Sequence, residues 1–551
     1  MRQLSVGRWP LVLLVACSGQ PTGPPLAFCP TSAAPTLLQP AEYVAVNPAA
    51  SDGCVVFPAN ALADTAEYLL VPQAATEIPN LSSSFKLAGS AAAAAAPSVA
   101  AALQAQPPSP AEQFHVRLRE LERTRGYGVP GVSAAPGAAA LRAQVVPATV
   151  KVGDTVQFKV LNTTTALTVD NVTAVAQAVG QHVAIFVDTG APKPALSPFD
   201  IDTLRTVFET KLYPADTLAF GRESDIDGNG LVIVLMTNTV NKMVANPCSN
   251  GYVAGFFFGG DIDPFFHSQF NSAEIFYTIV ADPGGTLSCP HTTAKVKLGL
   301  PPTLVHEFQH MISYNQHVRV RGGQAEVLWL NEAMSHYAEE RGGRAFLPDP
   351  DSSTFCPFVQ GDLADFGSYV QSPGSYALLD TAGIGGLAER GEWWSFVRYL
   401  VDQFGDTALT AADVFTRKID QTSLLGAANL AQLTQTPFAT LVERWALANW
   451  VSDAPNFAAP AELQYKQWAF RSAYPAMTRW CNVPGAFPIT ARVSAPTGVS
   501  VSGTIRSGSG AVYQRVLQAP GASGFRVLFS DSAGRQLPVA VAPRLNVIRI
   551  R

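Results

Sequence analysis

The sequence predicts an α+β protein in which a sheet-bearing lobe and a helical lobe face each other across a cleft, with all-β domains on either side. Three observations carry this expectation. Strand-like runs come before helix-like runs between 193 and 485, the order of an α+β domain rather than of alternating βαβ units. Both ends of the chain are made of short apolar runs separated by turn residues. The length, 551 residues, is enough for several domains and a large core.

Taken in order, residues 1–17 read as a targeting segment. Arg2 and Arg8 precede an apolar run at 11–16 that is too short to span a bilayer. It ends in Leu14-Val15-Ala16-Cys17, which resembles a bacterial lipobox and implies lipidation of Cys17; an ordinary secretory signal is the alternative. Residues 18–35 are a Pro/Gly/Ser/Thr-rich tether. Residues 36–88, with EYVAV, CVVF and EYLLV, read as a small β domain. Residues 89–142 combine a low-complexity linker with a short charged helix, AEQFHVRLRELERTR, expected to be solvated on one side. Residues 143–192 form a β subdomain with strands TVQFKV and HVAIFVD. In 193–485, a helix at 201–211 leads to a strand at 231–236. A strand at 273–281 and further helices near 393–403 and 438–451 follow. From 486 to 551 the runs VSVSGTI, FRVLFSD and NVIRI predict a C-terminal β-sandwich.

Composition narrows the function classes. Net charge is −5, and charged residues make up 14% of the chain, against roughly 25% in typical domains. No basic block exists, which argues against a nucleic-acid partner. Setting Cys17 aside leaves Cys29, Cys54, Cys248, Cys289, Cys356 and Cys481. An even number in an exported chain suggests disulfides. Order along the chain favours Cys29–Cys54, Cys248–Cys289 and Cys356–Cys481. No CxxC spacing supports a cysteine metal site.

The most informative stretch is His306-Glu307-Phe308-Gln309-His310. Two imidazoles four residues apart on a helix stand one turn apart on one face and can share one tetrahedral zinc. The glutamate beside the first can act on a water at that ion. Pro301-Pro302 fits a helix start. Leu304, Val305, Phe308, Met311 and Ile312 form the apolar stripe, with His306 and His310 on the other side. His317 lies about 10 Å further along the axis and cannot join them. A second helical stretch, 329–340, has Leu330, Met334, Tyr337 and Ala338 on its apolar side and Glu332, His336 and Glu339 on the other. Two histidines and one glutamate would leave a coordination position open, as in a catalytic zinc site. Glu332 and His336 share one face, so orientation alone does not choose between them. Ser313 and Gln316 exclude a metzincin, which needs glycine and histidine there.

HEFQHMI followed by WLNEAMSHYAEE resembles the gluzincin zinc peptidases, most closely the hyicolysin family of secreted bacterial metallopeptidases. The similarity extends over roughly residues 145–470, with VGDTVQFKV, SDIDGNGLVIVLM, AEIFYTIVADP and FVRYLVDQFG as weaker support. The resemblance implies a two-lobed zincin-like peptidase domain, zinc ligands His306, His310 and Glu332, Glu307 as general base, and protein or peptide substrates. One departure matters. Thermolysin-like enzymes place an aspartate four residues after the ligand glutamate, behind the first histidine; this chain has His336 there, which falls in position to hydrogen-bond a ligand or substrate. No matching motif fixes the residue that stabilises the oxyanion. Ser18 after Cys17 resembles lipoproteins of the outer membrane, implying a bacterial envelope protein that touches the membrane only through its lipid.

Two further expectations follow. Asp225-Ile226-Asp227-Gly228-Asn229-Gly230 resembles the first half of an EF-hand loop, with Asp225, Asp227 and Asn229 as calcium ligands. Met236 occupies the twelfth position, where a glutamate belongs, and a polar turn entering a strand accounts for the same residues. The strand at 273–281 is expected to pair with an extended substrate. Two rival functions are a lipid-anchored binding protein with a degenerate peptidase domain, and a zinc hydrolase of non-peptide amides or esters. The intact Glu307 argues against the first.

Overall fold

The computed structural model describes residues 34–89, 108–125, 146–245, 248–266, 269–347, 354–380, 386–405, 414–481, 483, 487 and 489–551. Cys17 and Cys29 lie outside them. The fold is mixed α+β.

The N-terminal stretch supplies β1 (Tyr43–Val46), β2 (Cys54–Phe57), β3 (Ala66–Ala74) and β4 (Ser82–Gly89). The middle of the chain supplies β5 (Thr155–Leu161), β6 (Val169–Val179), β7 (Val183–Asp188), β8 (Val232–Met236), β9 (Gly255–Phe257) and β10 (Ile275–Thr278). The C-terminal stretch supplies β11 (Arg492–Ser494), β12 (Ser500–Arg506), β13 (Gln514–Gln518), β14 (Phe525–Ser530) and β15 (Pro543–Arg549).

The two ends of the chain interleave. One sheet runs β1-β15-β3-β13-β11 and another β12-β4-β14-β2. Each of β1–β4 therefore pairs only with strands from the other end of the chain. This corrects the expectation of separate β domains at 36–88 and 486–551: together they build one two-sheet sandwich. The reason is that β1–β4 have no ladder partners among themselves, and an unpartnered strand leaves its backbone groups unsatisfied. The inner core includes Phe57 stacked on Phe525 at 4.3 Å. β3 is buried along its whole length because both of its faces are covered. Tyr68 and Leu70 point into the sandwich, while Leu69 and Val71 pack against Ala446, Leu447 and Val451 on the helical side. That is why EYLLV reads as a continuous apolar run rather than an alternating one.

The middle sheet has the order β5-β6-β7-β8-β10-β9, with β7–β8 and β8–β10 parallel and the other pairs antiparallel. Residues 143–192 are thus not a subdomain of their own; they contribute three of the six strands. β10 lies between β8 and β9, so both its edges are taken and it cannot receive a substrate strand as expected. The sheet edge on that side is β9.

The helices are α1 (Pro110–Thr124), α2 (Pro198–Val207), α3 (Tyr213–Ala219), α4 (Asn238–Lys242), α5 (Thr293–Tyr314), α6 (Leu328–Arg344), α7 (Cys356–Gln371), α8 (Leu387–Phe404), α9 (Val414–Asp420), α10 (Gly426–Thr434), α11 (Phe438–Val451) and α12 (Phe470–Cys481). α5 packs between β9–β10 and α6, and α6 packs in turn on α7 and α8. The expected apolar stripe of α5 is buried, with Phe308 packed on Phe208 and Tyr213. The helix does not start at Pro301-Pro302 but at Thr293, capped by Thr292. The prolines are tolerated because the carbonyls they deprive of partners belong to Lys297 and Leu298, both exposed to water. Disulfides join Cys248 to Cys289 and Cys356 to Cys481. Among the described residues no helix is long and apolar enough to cross a membrane.

Candidate metal centre

α5 and α6 lie side by side, and three donor groups meet between them. His306 Nε2 and His310 Nε2 are 3.1 Å apart. Glu332 Oε2 is 3.7 Å from the first and Glu332 Oε1 is 3.7 Å from the second. Donors held about 2.0–2.1 Å from one tetrahedral centre stand about 3.3–3.4 Å apart, so this spacing fits a shared cation. Both Glu332 oxygens are buried and have no hydrogen-bond partner. A carboxylate in that condition normally carries a heavy desolvation penalty, and a bound cation would remove it. These residues could hold a metal ion.

The outward nitrogens of both histidines are fixed by neighbours. His306 Nδ1 lies 2.8 Å from Glu339 Oε1. His310 Nδ1 donates to Asn331 Oδ1, and Ser335 Oγ stands 2.9 Å from the same nitrogen. Ser335 in turn donates to Gln309 Oε1 at 2.6 Å. With each Nδ1–H occupied in this way, each Nε2 lone pair faces the centre. Burial, with Arg119 adding to it, holds the His310 imidazole well below its usual pKa, which keeps it neutral as a ligand must be.

His336 and Glu339 also gather near His306, but hydrogen bonds account for that cluster. His336 Nδ1 is 2.8 Å from Asp362 Oδ1 and 3.1 Å from Glu339 Oε1. Burial opposes the His336 charge, yet the two carboxylates outweigh it and raise its pKa to about 10. His336 meets His306 both directly, with ring centroids 5.0 Å apart in a T-shaped contact, and through Glu339. The carboxylate behind the first histidine is Glu339, one turn beyond the position His336 occupies. Sequence reading placed Glu339 on the correct face without giving it this task.

Glu307 points into the same space. Its Oε2 accepts from Phe257 N at 2.7 Å, tying the base to β9. Burial raises its pKa, with His306 and Arg119 pulling the other way. α5 can approach β9 this closely because Gly255 has no side chain: a Cβ there would stand 2.7 Å from Thr303 and 2.7 Å from Tyr277 O.

A cavity of about 1070 Å³ opens on the site, with His306, Glu307, His336 and Glu339 in its wall. Glu112 and His115 of α1 and Arg390 of α8 also line it. Arg390 Nη1 lies 3.4 Å from Glu332 Oε2. Burial pushes the Glu332 carboxyl up, but Arg390 and the two imidazoles reverse this and hold it well below its usual range. Burial lowers the His115 pKa to about 3, so that ring is neutral near pH 7.

α1 is solvated on one side as expected, with Gln113, Glu120 and Thr124 exposed, but it is not part of a linker. Phe114 and Leu118 are fully buried, and so are Arg119 and Glu122. Arg119 Nη2 pairs with Glu122 Oε1 at 3.2 Å and donates to Phe257 O at 2.9 Å. Gly259 N donates to Glu122 at 2.9 Å. The helix is clamped onto β9 beside the candidate metal centre. The signal was present in the sequence: Ala111, Phe114 and Leu118 follow the helical period, although abundant charge hid it.

No protein-family model matches the chain. A stretch of 133 residues is 30% identical to the neutral metalloprotease ShpI of Staphylococcus hyicus, covering 24% of this chain and 28% of that protein. The likeness ties part of the chain to a metalloprotease and spans less than a third of that relative's length.

Of the other predicted site residues, Asp225 and Asp227 come together, but Asn229 does not offer its oxygen to them. Its Oδ1 accepts from Leu231 N at 2.7 Å, which makes it a turn residue. The third carboxylate at that place is Glu274.

Proposed function

We propose that this chain is a zinc-dependent endopeptidase of the hyicolysin type, with the middle sheet as one lobe of a zincin-like domain and α6–α12 as the other. The observation that carries the reading is the convergence of His306 Nε2, His310 Nε2 and the Glu332 carboxylate, whose oxygens make no hydrogen bond, with Glu307 in the same cavity. Two imidazoles and one carboxylate suit zinc, and three protein donors leave room for reaction. The relationship to a neutral metalloprotease supports peptide bonds as the substrate.

When bound, zinc supplies Lewis acidity to the scissile carbonyl and to the attacking water. Glu307 accepts the water proton and later delivers it to the leaving amine. Phe257 N–H holds the Glu307 carboxylate toward this task. Arg390 balances the Glu332 charge and adds positive potential to the wall where an oxyanion develops. An extended peptide would lie along Gly251, Tyr252, Ala254 and Gly255, which line the cavity at the start of edge strand β9. The two disulfides suit an oxidising compartment, and we place the protein in the bacterial envelope, lipid-anchored through Cys17.

The test is casein hydrolysis by the purified protein, abolished by a chelator and restored by zinc. Glu307→Gln should keep its zinc and lose about 10²–10⁴-fold in rate, the usual contribution of a positioned base. Near-normal activity in that variant would remove Glu307 from the mechanism.

A further inference from the structure

We propose that Asp225, Asp227 and Glu274 form a second cation site, built for calcium, that ties the loop before β8 to the start of β10. Their donor oxygens all lie within 4.8 Å of one another. Two oxygens on one calcium at 2.3–2.6 Å stand no more than about 5 Å apart, so a single ion can reach all three. Every donor is a carboxylate oxygen, with no imidazole or thiolate among them, which suits a hard cation.

Glu274 supplies the decisive observation. Its side chain is 1% exposed. Oε1 accepts from Ser224 Oγ at 2.5 Å and from Ile226 N at 3.0 Å, which fixes the carboxylate against the loop. Oε2 is buried and has no hydrogen-bond partner. An oxygen of this kind beside two aspartates needs a positive charge.

Strand pairing explains how Glu274 replaces the missing loop glutamate. Position twelve is Met236, buried inside β8. β10 runs parallel to β8 with Ile275 opposite Ile233, and Ile233 N donates to Glu274 O at 2.6 Å. The residue just before β10 therefore arrives where the loop enters β8. The same loop reaches the zinc helix: Arg222 O accepts from Asn315 Nδ2 at 2.9 Å and Gln316 Nε2 at 2.8 Å, just past the end of α5. Calcium here would brace one end of the sheet against the helix carrying His306 and His310.

The experiment uses the full chain, stripped with EGTA and resupplied with zinc, then titrated with calcium chloride by calorimetry and thermal melting. Wild type should bind with a dissociation constant of about 10⁻⁴–10⁻³ M or tighter, the range of extracellular calcium modules. Its melting midpoint should rise with calcium and much less with magnesium. Glu274→Gln and the surface change Asp225→Asn should each weaken binding by about tenfold or more, following the loss of ligand charge. Asp227→Asn should raise the melting midpoint of the calcium-free protein yet abolish the calcium-dependent rise. Asn229→Ser should keep that rise. A wild type indifferent to calcium, or a Glu274→Gln and an Asp225→Asn that respond like wild type, would overturn the site. An equal response to magnesium would overturn the choice of calcium.

Discussion

Glu339 should control how tightly zinc is held, although it touches no metal. Its Oε1 is 2.8 Å from His306 Nδ1 and 3.1 Å from His336 Nδ1. Burial pushes the Glu339 carboxyl up, but its bonds to the two imidazoles hold it down at about 2, so it is ionised at neutral pH. A hydrogen bond to a charged group contributes about 1.5–3 kcal/mol, against about 0.5–1.5 kcal/mol for a neutral one. Glu339→Gln keeps an acceptor oxygen and removes the charge, a difference of about 1–1.5 kcal/mol, or close to tenfold in zinc affinity. Glu339→Ala removes the acceptor as well, and its loss should approach the upper end of the roughly 10–100-fold range for groups behind a metal ligand. Competition against a chromophoric chelator measures this directly, with melting of the metal-free proteins as the control for folding. If both variants bind zinc within about twofold of wild type, His306 does not depend on Glu339 for its orientation or basicity.

Three other outcomes are expected. After dialysis Glu332→Ala should come out depleted of zinc while His336→Ala retains it; the reverse result would make the third ligand a histidine. Arg119→Met should leave Glu122 buried and unpaired, costing about 3–5 kcal/mol and raising hydrogen exchange in α1 and β9; unchanged exchange there would mean the clamp is not needed. Burial raises the Glu326 pKa from 4.5 to about 8, so the folded state binds that proton more tightly than the unfolded chain and stability falls as pH rises through this window. Glu326→Gln should flatten that fall in melting temperature, and an unchanged slope would place the titration elsewhere.

What the sequence made legible was local. His306, Glu307 and His310 share one helix turn, and Glu332, His336 and Glu339 share one side of the next helix, so spacing alone groups them. The structure gives the NEAMS stretch a physical reason, since Asn331 and Ser335 hold His310 while Glu332 points at the centre. What spacing could not reveal was pairing at long range. Tyr43 stands opposite Ile548, and nothing in either run names the other, so one sandwich read as two domains. The misassigned substrate strand had no warning in the sequence: burial of the faces does not reveal which edges are taken, and the edge strand β9 is as buried as β10.

The charges around the centre explain why two motifs alone do not build it. Glu307, Glu332, Glu339 and Glu122 are brought together in a region shielded from water, and four neighbouring carboxylates cannot all ionise there without compensation. The positive groups come from elsewhere in the chain. Arg119 of α1 faces Glu122 and acts on Glu307, Arg390 of α8 stands beside Glu332, and His336 lies between Glu339 and Asp362. In a chain with only 14% charged residues, these are concentrated at one site. α5 and α6 supply the donors, but α1 and α8 supply the cations that offset the carboxylates gathered beside them. α1 precedes the middle sheet in sequence and is clamped to its edge strand β9, so the cleft is complete only once residues before 125 have docked. A fragment beginning at β5 would keep HExxH and NEAMS intact and still lack Arg119, so the cleft beside the candidate metal centre needs α1 as well as the sheet.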